Sequence, residues 1–541
     1  MTDGAPALRP VDFDPFAPAS AREADLALTE AQREMWTAAA MGPEASCSYN
    51  QCFAFELHGP LRVESLHAAL IRVVRRHEAL RATIAANGER QTVRPRLALE
   101  LPLLDLSSLE PEARAREIDA LLKRETETPF DLAEGPLLRA FVVRESAERH
   151  RFVLTVHHIV CDGWSSAVLF SELGLLYAAD CVGIQAQLGE PASYRDYVAE
   201  RTNDDHLALA AADEEHWAAQ YPEGAPVLDL PVARRPAVKS YRSGREELRI
   251  DADLYAAVKR TGARSGATLF ATLLAAFQAL VYRLSGQSDF VVGIPFAEQP
   301  LLENSALVAH CVNTVPLRAR IDPAAPFIEH LRTVRRELAD AHEHSRLTFG
   351  SLVRRLNLPR DPSRTPLVAI TFSLDKVGAP FDFGSASIAS LSTPKSYSNF
   401  ELVANVVEDG SELLVEFDYN ADLFDGPTVR RWVSHYEVLI QGIVEQPTAL
   451  LAELPVLTRQ ERDAVRSWNQ TDAPLPEACI TDAIALQAAR TPDQTAVELD
   501  GTMLSYRELA ARAQRLAECL AALGAGPGQC VAVLMDRGPD L

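Results

Sequence analysis

Two adjacent histidines, His157 and His158, occupy the end of a stretch whose residue types suit acid–base chemistry. Large apolar residues recur at every second position over residues 152–157, and this period of two predicts a strand. After Gly163 the apolar residues recur at intervals of three and four, which predicts a helix that begins there. Both imidazoles are therefore expected where a strand ends and a turn leads into a helix, a place that commonly displays active-site groups.

The residue types in this stretch allow several roles. Imidazole has an unperturbed pKa of about 6.5, which lets it exchange a proton near neutrality. Adjacent strand residues point to opposite faces, so His157 and His158 are expected to have different roles. Asp162 is placed to orient an imidazole, to pair with an arginine or to cap the helix. The same residues would equally suit a buried, hydrogen-bonded histidine pair with a capping aspartate and no catalysis.

The sequence disfavours several other classes of site. Zinc sites usually show paired ligands, and only Cys161 stands at ligand spacing from the histidines, so no metal is predicted. The eight cysteines form no CxxC pair and indicate reduced thiols in a cytoplasmic protein. The net charge of −22 argues against nucleic acid and against an anionic membrane surface, because both bind basic patches. The first residues do not have the pattern of a signal peptide.

Residues 157–163 read His-His-Ile-Val-Cys-Asp-Gly and resemble the HHxxxDG signature of condensation domains of non-ribosomal peptide synthetases. These domains belong to the same superfamily as chloramphenicol acetyltransferase. Other stretches resemble further motifs of the family, in the family's order, over about residues 25 to 455. They are Leu28–Trp36, Arg76–Arg81, Tyr194–Tyr197, His310–Thr314 and Arg360–Leu367.

The resemblance implies an α/β fold in which two chloramphenicol-acetyltransferase-like lobes form a V-shaped pseudo-dimer. We expect the first, N-terminal lobe over residues 26–185, the second, C-terminal lobe over residues 186–455 and a linker over residues 456–476. Residues 477–541 resemble the truncated start of an adenylation domain, because Leu504–Leu509 is similar to that family's LTYxEL motif. A length of 541 residues agrees with several domain-sized units.

The first 25 residues are rich in Pro and Ala and are predicted to form a leader. Residues 11–16 within it are a candidate docking segment. Because the chain begins with Met, the donor substrate is expected to arrive on a separate polypeptide. Three stretches are similar to the subgroup of condensation domains that takes acyl chains from polyketide synthases, namely Phe13–Phe16, Cys161–Ser165 and Leu347–Gly350.

The resemblance implies amide formation by an acyltransferase. The amine of an acceptor aminoacyl thioester would attack the carbonyl of a donor acyl thioester, which is either peptidyl or polyketide. Both thioesters would arrive on phosphopantetheine arms, so the domain itself is expected to bind no cofactor. The implied partners are an upstream acyl or peptidyl carrier protein, a downstream peptidyl carrier protein and an adenylation domain in the same parent chain. No nucleic-acid or membrane partner is expected, and the chain is expected to be a monomer.

Under this resemblance, His158 is the expected catalytic residue. An α-amine has a pKa of about 8, so an appreciable fraction is already neutral near physiological pH. His158 would therefore either take the proton as the C–N bond forms or position the amine by hydrogen bonding. The backbone N–H of Gly163, at the start of a helix, is a candidate donor to the developing oxyanion.

The other motif residues are expected to support the fold or to line a substrate tunnel. His157 is expected to pack or hydrogen-bond inside the sheet, and Asp162 to pair with an arginine across the lobes. Arg283 is the first candidate for that arginine and Arg81 the second. Gly163 and Arg76 complete the expected support residues, and the expected tunnel residues are Trp164, Ser165 and Asn313. Trp164 would fit the apolar face of the helix equally well.

Two other functions remain open from the sequence. A non-catalytic domain of the same fold would recruit carrier proteins or tailoring enzymes, but such relatives generally degrade the histidine motif, which is intact here. An ester-forming acyltransferase is the nearest enzymatic alternative, although the adenylation-like segment that follows disfavours it. Cyclisation domains carry Asp-x4-Asp in place of HHxxxDG, and epimerisation domains do not lead into an adenylation domain, so both are disfavoured.

Overall fold

The computed structural model describes residues 23–232, 234–299, 306–376, 383–384, 386–474 and 477–541. The chain forms two compact units, Met1–Thr458 and Arg459–Leu541. The candidate docking segment and most of the predicted leader lie outside the described residues.

The first lobe is built on a five-stranded sheet and a small three-stranded sheet. The strands of this lobe are β1 (Ala24–Ala27), β2 (Asn50–His58), β3 (Ala82–Ile84), β4 (Arg90–Val93), β5 (Leu103–Asp105), β6 (Leu138–Ser146), β7 (Arg149–His157) and β12 (Ser387–Leu391). Its helices are α1 (Glu30–Ala39), α2 (Pro43–Cys47), α3 (Val63–Arg76), α4 (Pro111–Glu127), α5 (Gly163–Val182) and α6 (Tyr194–Arg201). The large sheet has the order β12-β2-β7-β6-β5 and the small one β1-β4-β3.

The second lobe is built on a six-stranded sheet covered by helices. Its strands are β8 (Ser243–Ile250), β9 (Asp289–Ala297), β10 (Val312–Arg320), β11 (Ile370–Lys376), β13 (Leu402–Asp409) and β14 (Glu412–Asn420). Its helices are α7 (Asp204–Ala218), α8 (Ala252–Arg264), α9 (Leu269–Ser285), α10 (Phe327–Glu343), α11 (Phe349–Leu356) and α12 (Gly426–Glu445). The strand order is β10-β9-β11-β13-β14-β8.

Strand β7, which carries the histidines, is buried on both faces. Phe152 and Leu154 belong to the main core of the first lobe. Val153 points to the other face, where it packs with Ile118 and Leu122 of α4. Because both faces are covered, the strand is apolar at most positions instead of alternating strictly between apolar and polar residues.

Helix α5, which follows the histidine motif, is long and apolar enough to cross a membrane, and the bent pair of α8 and α9 passes the same test together. In the structure Leu169, Leu173 and Leu176 of α5 are buried in the core of the first lobe. Asp162 caps its first turn. The apolar composition of α5 is therefore that of a helix in the core of a globular domain.

Later parts of the chain complete the first lobe. Strand β12 comes late in the sequence yet pairs antiparallel with β2 of the first lobe, with Leu391 opposite Ala54. The core of the first lobe also contains Tyr194, Leu307 and Cys311. The expected lobe boundary at residue 185 stays a prediction, and the first core extends beyond it. Short return segments of this kind have no periodicity that marks them in the sequence.

The second unit contains helices and a pair of antiparallel strands. They are α13 (Arg459–Trp468), α14 (Ile480–Arg490), β15 (Thr495–Leu499), β16 (Thr502–Ser505) and α15 (Tyr506–Ala522). Helix α13 lies inside the expected linker and buries none of its residues. In the adenylation-like segment, Ser505 and Glu508 form a capping box at the start of α15, and Leu504 is buried.

Candidate active site

The turn between β7 and α5 is organised by Asp162. One carboxylate oxygen, Oδ1, accepts hydrogen bonds from the backbone N–H of Ser165 at 2.8 Å and from its hydroxyl at 2.7 Å. This is the geometry of a helix N-cap, which satisfies a donor of the first turn. The side chain of Asp162 is 0% exposed. Of the three roles open from the sequence, capping is therefore present in the structure.

The second oxygen of Asp162 is bound by two residues that follow β9 and precede β10. Oδ2 accepts from the side-chain amide of Gln299 at 2.7 Å and from the backbone N–H of Cys311 at 2.9 Å. The expected pairing of Asp162 with an arginine is wrong. Arg283 instead donates to the carbonyl of Leu454.

The second arginine considered for Asp162, Arg81, also has other acceptors. Its Nε donates to the carbonyl of Val74 at 3.2 Å, and it also donates to the carbonyl of Arg94. Asp162 instead accepts from the neutral donors of Ser165, Gln299 and Cys311. These four hydrogen bonds occupy its acceptor sites, which explains why no guanidinium is needed there.

His157 lies inside the sheet. Its ring is fully buried, with centroids 6.0 Å from Tyr49 and 6.1 Å from Phe130. Nδ1 accepts from the backbone N–H of Ile159 at 3.2 Å. Burial lowers the pKa of His157 to about 3. The ring is therefore neutral near pH 7, with its proton on Nε2, and it serves to close the turn.

His158 is placed differently, because it follows the last residue of β7. Its backbone N–H donates to the carbonyl of Tyr49 at 2.9 Å, which fixes the main chain. The ring is half-buried and stands edge-on to His310, with the centroids 5.0 Å apart. Burial lowers the pKa of His158, Asp162 acts in the opposite direction, and Lys395 lowers it further. The imidazole is consequently in its proton-accepting form near neutral pH.

His310 is a third imidazole at the site. It lies in one of the motifs found in the sequence, but no role was predicted for it. It is buried, and burial together with the neighbouring imidazoles lowers its pKa. The turn that contains it is joined to the histidine motif, because Asp162 N–H donates to the carbonyl of Ala309 at 3.2 Å. The only sequence signal was its position two residues before the Val-Asn-Thr segment at 312–314.

Two of the three expected tunnel residues are buried and hydrogen-bonded within the protein. The hydroxyl of Ser165 bonds Asp162 and both backbone groups of Ala309. The side-chain amide of Asn313 donates to Glu298 at 3.1 Å and to the carbonyl of Ser345 at 3.2 Å. Both side chains therefore connect segments of the protein around the motif.

The third expected tunnel residue, Trp164, is 40% exposed at the start of α5. It belongs to neither of the two main cores, so the alternative interpretation of Trp164 as a simple core residue is wrong. Of the three expected tunnel residues, Trp164 is the one whose side chain has a large accessible surface.

Gly163 has an unobstructed environment. A Cβ built on it would meet no atom within 4 Å, and its φ is not positive. Neither crowding nor backbone conformation therefore requires glycine at this position. The missing side chain leaves open space at the first residue of α5.

Arg76 lies at the end of α3 and contacts α5. Its Nε donates to the carboxylate of Glu172 at 3.1 Å, and it also donates to the carbonyl of Gly189. The next residue, His77, bonds the other oxygen of Glu172 at 2.8 Å. Because Glu172 lies on α5, these bonds hold α3 against the helix that displays the motif.

Each of the two lobes contains a cavity. The first, of about 320 Å³, is lined by residues that include Trp36, Ile84 and Phe130. The second, of about 360 Å³, is lined by residues that include Phe270 and Phe296. His158 lines neither cavity. The candidate reaction centre is therefore identified from the positions of the motif residues and not from a cavity.

Comparison with known proteins assigns the family. A family model described as a condensation domain matches residues 22–465. The chain belongs to the condensation-domain family. A second model, described as an AMP-binding enzyme, matches residues 484–541. Both parts of the resemblance seen in the sequence are confirmed, in the expected order.

Two curated relatives show how much of a larger protein this chain represents. Chondramide synthase from Chondromyces crocatus is 34% identical over 528 residues, which cover 95% of this chain and 13% of that protein. Phosphinothricin tripeptide synthetase from Streptomyces viridochromogenes is 34% identical over 553 residues, which cover 99% of this chain and 46% of that protein. The chain thus spans less than half the length of these relatives.

Solved structures of similar proteins share the fold. The first condensation domain of the calcium-dependent antibiotic synthetase, in complex with a substrate analogue, has a TM-score of 0.69 at 22% identity, covering 80% of this chain and 99% of that one. The X-domain in a complex with OxyB from teicoplanin biosynthesis has a TM-score of 0.70 at 23% identity, covering 81% of this chain and 97% of that one. The expected two-lobed, chloramphenicol-acetyltransferase-like fold is confirmed.

The family assignment carries the general activity. Condensation domains are amide-forming acyltransferases of non-ribosomal peptide synthesis, and this chain is one of them. The family works on thioesters held by carrier proteins, beside an adenylation domain.

Proposed function

We propose that this chain joins a donor acyl thioester to the amine of an acceptor aminoacyl thioester, with His158 as the side chain that contacts the reacting amine. The observation that supports this most is the position of a half-buried, neutral imidazole at the end of β7. The same turn leads into α5, whose first residue, Gly163, has open space around a built Cβ. Since Nδ1 of His158 is buried, Nε2 is the nitrogen that can reach a substrate.

The lowered pKa of His158 argues against a strong base that acts before attack. The acceptor amine, with a pKa of about 8, is already neutral in part. As the C–N bond forms, the nitrogen becomes acidic and its proton passes to Nε2 of His158. When the tetrahedral intermediate collapses, the C–S bond breaks, and the departing thiolate takes a proton from the imidazolium. His158 thus ends in the form in which it began, and it also holds the amine in place.

The oxyanion would lie against the start of α5. Asp162 caps the N–H of Ser165, and the N–H of Gly163 precedes it in the same turn. The positive end of a helix favours negative charge. Removal of a single oxyanion-hole donor, an asparagine side chain in another acyl-transfer enzyme, costs about 2.7–4 kcal/mol. The absence of a side chain at Gly163 removes one obstacle to a substrate carbonyl that approaches this turn.

The finer assignments extend this proposal. Both substrates would be delivered on phosphopantetheine arms, the donor by an upstream acyl or peptidyl carrier protein and the acceptor by a downstream peptidyl carrier protein. The protein would act in the cytoplasm, in agreement with its eight cysteines, none of them in a CxxC pair. A polyketide donor, donor delivery from a separate polypeptide and a monomeric state stay predictions.

The experiment is amide formation in a single turnover. It combines an acyl-loaded donor carrier protein, an aminoacyl-loaded acceptor carrier protein and the chain, either intact or with His158→Ala. His58→Ala is the matched control, because His58 is an exposed histidine at the far end of β2. Product with the intact chain and the control, and a large loss with His158→Ala at an unchanged circular dichroism spectrum, would support the proposal.

Other outcomes would redirect the assignment. Equal rates for the intact chain and His158→Ala would remove His158 from the reaction and leave substrate positioning as the source of catalysis. No product with either peptidyl or polyketide donors would favour a recruitment domain of the same fold. Product with a soluble alcohol in place of the acceptor amine would favour the ester-forming alternative.

A further inference from the structure

The ends of α7 and α10 carry two aspartates and two histidines that bond across the helix pair. His216 of α7 bonds Asp340 of α10, with Nε2 and Oδ2 3.0 Å apart. His344, directly after α10, bonds Asp213 of α7, with Nδ1 and Oδ1 3.1 Å apart. The two imidazole rings lie between these carboxylates, 3.8 Å apart and 13° from parallel. No step of the proposed reaction uses these four residues.

Three of these side chains direct metal-binding atoms to one place. His216, Asp340 and His344 each offer a ligand atom, and these atoms all lie within 4.8 Å of one another. Nε2 of His344 is 4.0 Å from Oδ1 of Asp340. In a tetrahedral zinc site with bonds of about 2.0 Å, ligand atoms are roughly 3.3 Å apart. The separations from Asp340 to His216 (3.0 Å, at Oδ2) and to His344 (4.0 Å, at Oδ1) lie on either side of this value.

The fourth residue, Asp213, supports the same interpretation from a different position. Its hydrogen bond to Nδ1 of His344 leaves Nε2 of that ring for a metal. Metal-bound histidines usually have such a carboxylate on their other nitrogen, where it fixes the tautomer and raises the basicity of the ligand. Asp213 is only 4% exposed. The backbone N–H of Arg346 donates to it at 3.0 Å and the guanidinium at 3.3 Å.

We propose that His216, Asp340 and His344 bind one divalent transition-metal ion of the zinc type, with Asp213 orienting His344. Parallel stacked rings do not direct their in-plane lone pairs to a common point, so the ring of His216 must turn on binding. Its side chain is 30% exposed and lies at the end of a helix, which leaves room for this rotation. A water would complete four ligands, as would the side-chain amide oxygen of Gln220 after rotation of that amide, whose Nε2 lies 3.4 Å from Nε2 of His216.

The position of the site suggests what the ion would do. The chain passes from the first lobe to the second between α6 and α7. Tyr194 of α6 is buried in the first core, whereas Trp217 of α7 is buried in the second. The indole N–H of Trp217 donates to the carbonyl of His344 at 2.7 Å. An ion shared by α7 and α10 would therefore fix the connection between the lobes to the second lobe.

The test is calorimetric titration of the full chain with ZnCl2, after treatment with a chelator and desalting. We expect one equivalent to bind the wild type, and His344→Gln or Asp340→Asn to remove that equivalent. Asp213→Asn should weaken binding by roughly tenfold to a hundredfold. His58→Gln, a change in an exposed histidine outside the cluster, should bind as the wild type does.

Thermal unfolding provides a second readout that does not depend on activity. Zinc should raise the melting temperature of the wild type, a chelator should reverse the rise, and His344→Gln should show neither effect. Circular dichroism establishes that the variants are folded. Failure of the wild type to bind an equivalent of zinc would overturn the proposal. Equal binding by wild type, His344→Gln and Asp340→Asn would overturn it as well, because the zinc would then be held elsewhere, for example by thiols.

Discussion

Asp162 and Gln299, 137 residues apart, are joined by a hydrogen bond of 2.7 Å between a fully buried carboxylate and a side-chain amide. Asp162 begins the helix that follows the histidines, whereas Gln299 follows a strand of the second lobe. Cys311 N–H reinforces this connection at 2.9 Å. The position of the histidine turn is therefore set by residues that follow β9 and precede β10, as well as by the sheet that carries the turn.

Removal of the Gln299 side chain should disturb this turn more than removal of Arg283 does. Gln299→Ala leaves Asp162 with one donor fewer in a buried setting, which should cost about 1–3 kcal/mol of unfolding free energy. It should also lower the single-turnover rate of amide formation. Arg283→Ala loses a bond to the carbonyl of Leu454 and should leave that rate close to wild type. Urea unfolding and the single-turnover assay measure the two effects.

One result for these two variants would contradict the prediction. A rate that falls with Arg283→Ala and not with Gln299→Ala would mean that the arginine pairing expected from the sequence exists in solution. Gln470→Ala, at an exposed glutamine of the second unit, serves as the control for loss of an amide side chain.

The sequence predicted local features of the site well. The strand does end at His157 and the helix does begin at Gly163. Both could be predicted because strand alternation and helical spacing are patterns of residues close together in the sequence. Gln299 was missed, since a side-chain bond between distant positions leaves no periodic trace. Strand β12 was missed because it is five residues long and mostly exposed, so it lacks the apolar alternation of a core strand.

The pH dependence of amide formation should separate the amine from His158. Below about pH 8 the rate should fall as the acceptor amine becomes protonated. The pKa of His158 is lowered by burial from 6.5, so protonation of the imidazole should add a second fall only below pH 6.5. Single-turnover rates from about pH 5 to about pH 9 measure both limbs. A second limb above pH 6.5 that His158→Ala abolishes would contradict the lowered pKa.

Protonation of His157 should destabilise the fold in acid. Burial lowers its pKa from 6.5 to about 3, so the unfolded chain binds a proton in this window that the folded chain does not. The contribution of neutral His157 to the unfolding free energy is fully present above pH 6.5. It falls as the pH drops, by at most about 1.4 kcal/mol per pH unit. His330, whose pKa burial lowers to about 4, contributes in the same direction.

His157→Leu isolates the part that belongs to this residue. The variant cannot accept the N–H of Ile159 and should be less stable at pH 7, but its unfolding free energy should change less steeply between about pH 6.5 and about pH 4. Urea unfolding at several pH values measures the slopes. Equal slopes for wild type and variant would show that His157 does not remain neutral in the folded protein.

Enlargement of Gly163 should reduce activity without unfolding the protein. A Cβ at this position meets no atom within 4 Å and φ is not positive, so Gly163→Ala should change the unfolding free energy by no more than about 0.5 kcal/mol. The added carbon would occupy the open side of the first turn of α5, where the substrate carbonyl is proposed to approach the backbone N–H. We therefore expect Gly163→Val to lower the single-turnover rate more than Gly163→Ala.

Gly189→Ala, at another position where a Cβ meets nothing, should leave the rate unchanged. If Gly163→Val were fully active, the oxyanion would have to be bound elsewhere, and the glycine of the motif would have no part in substrate access.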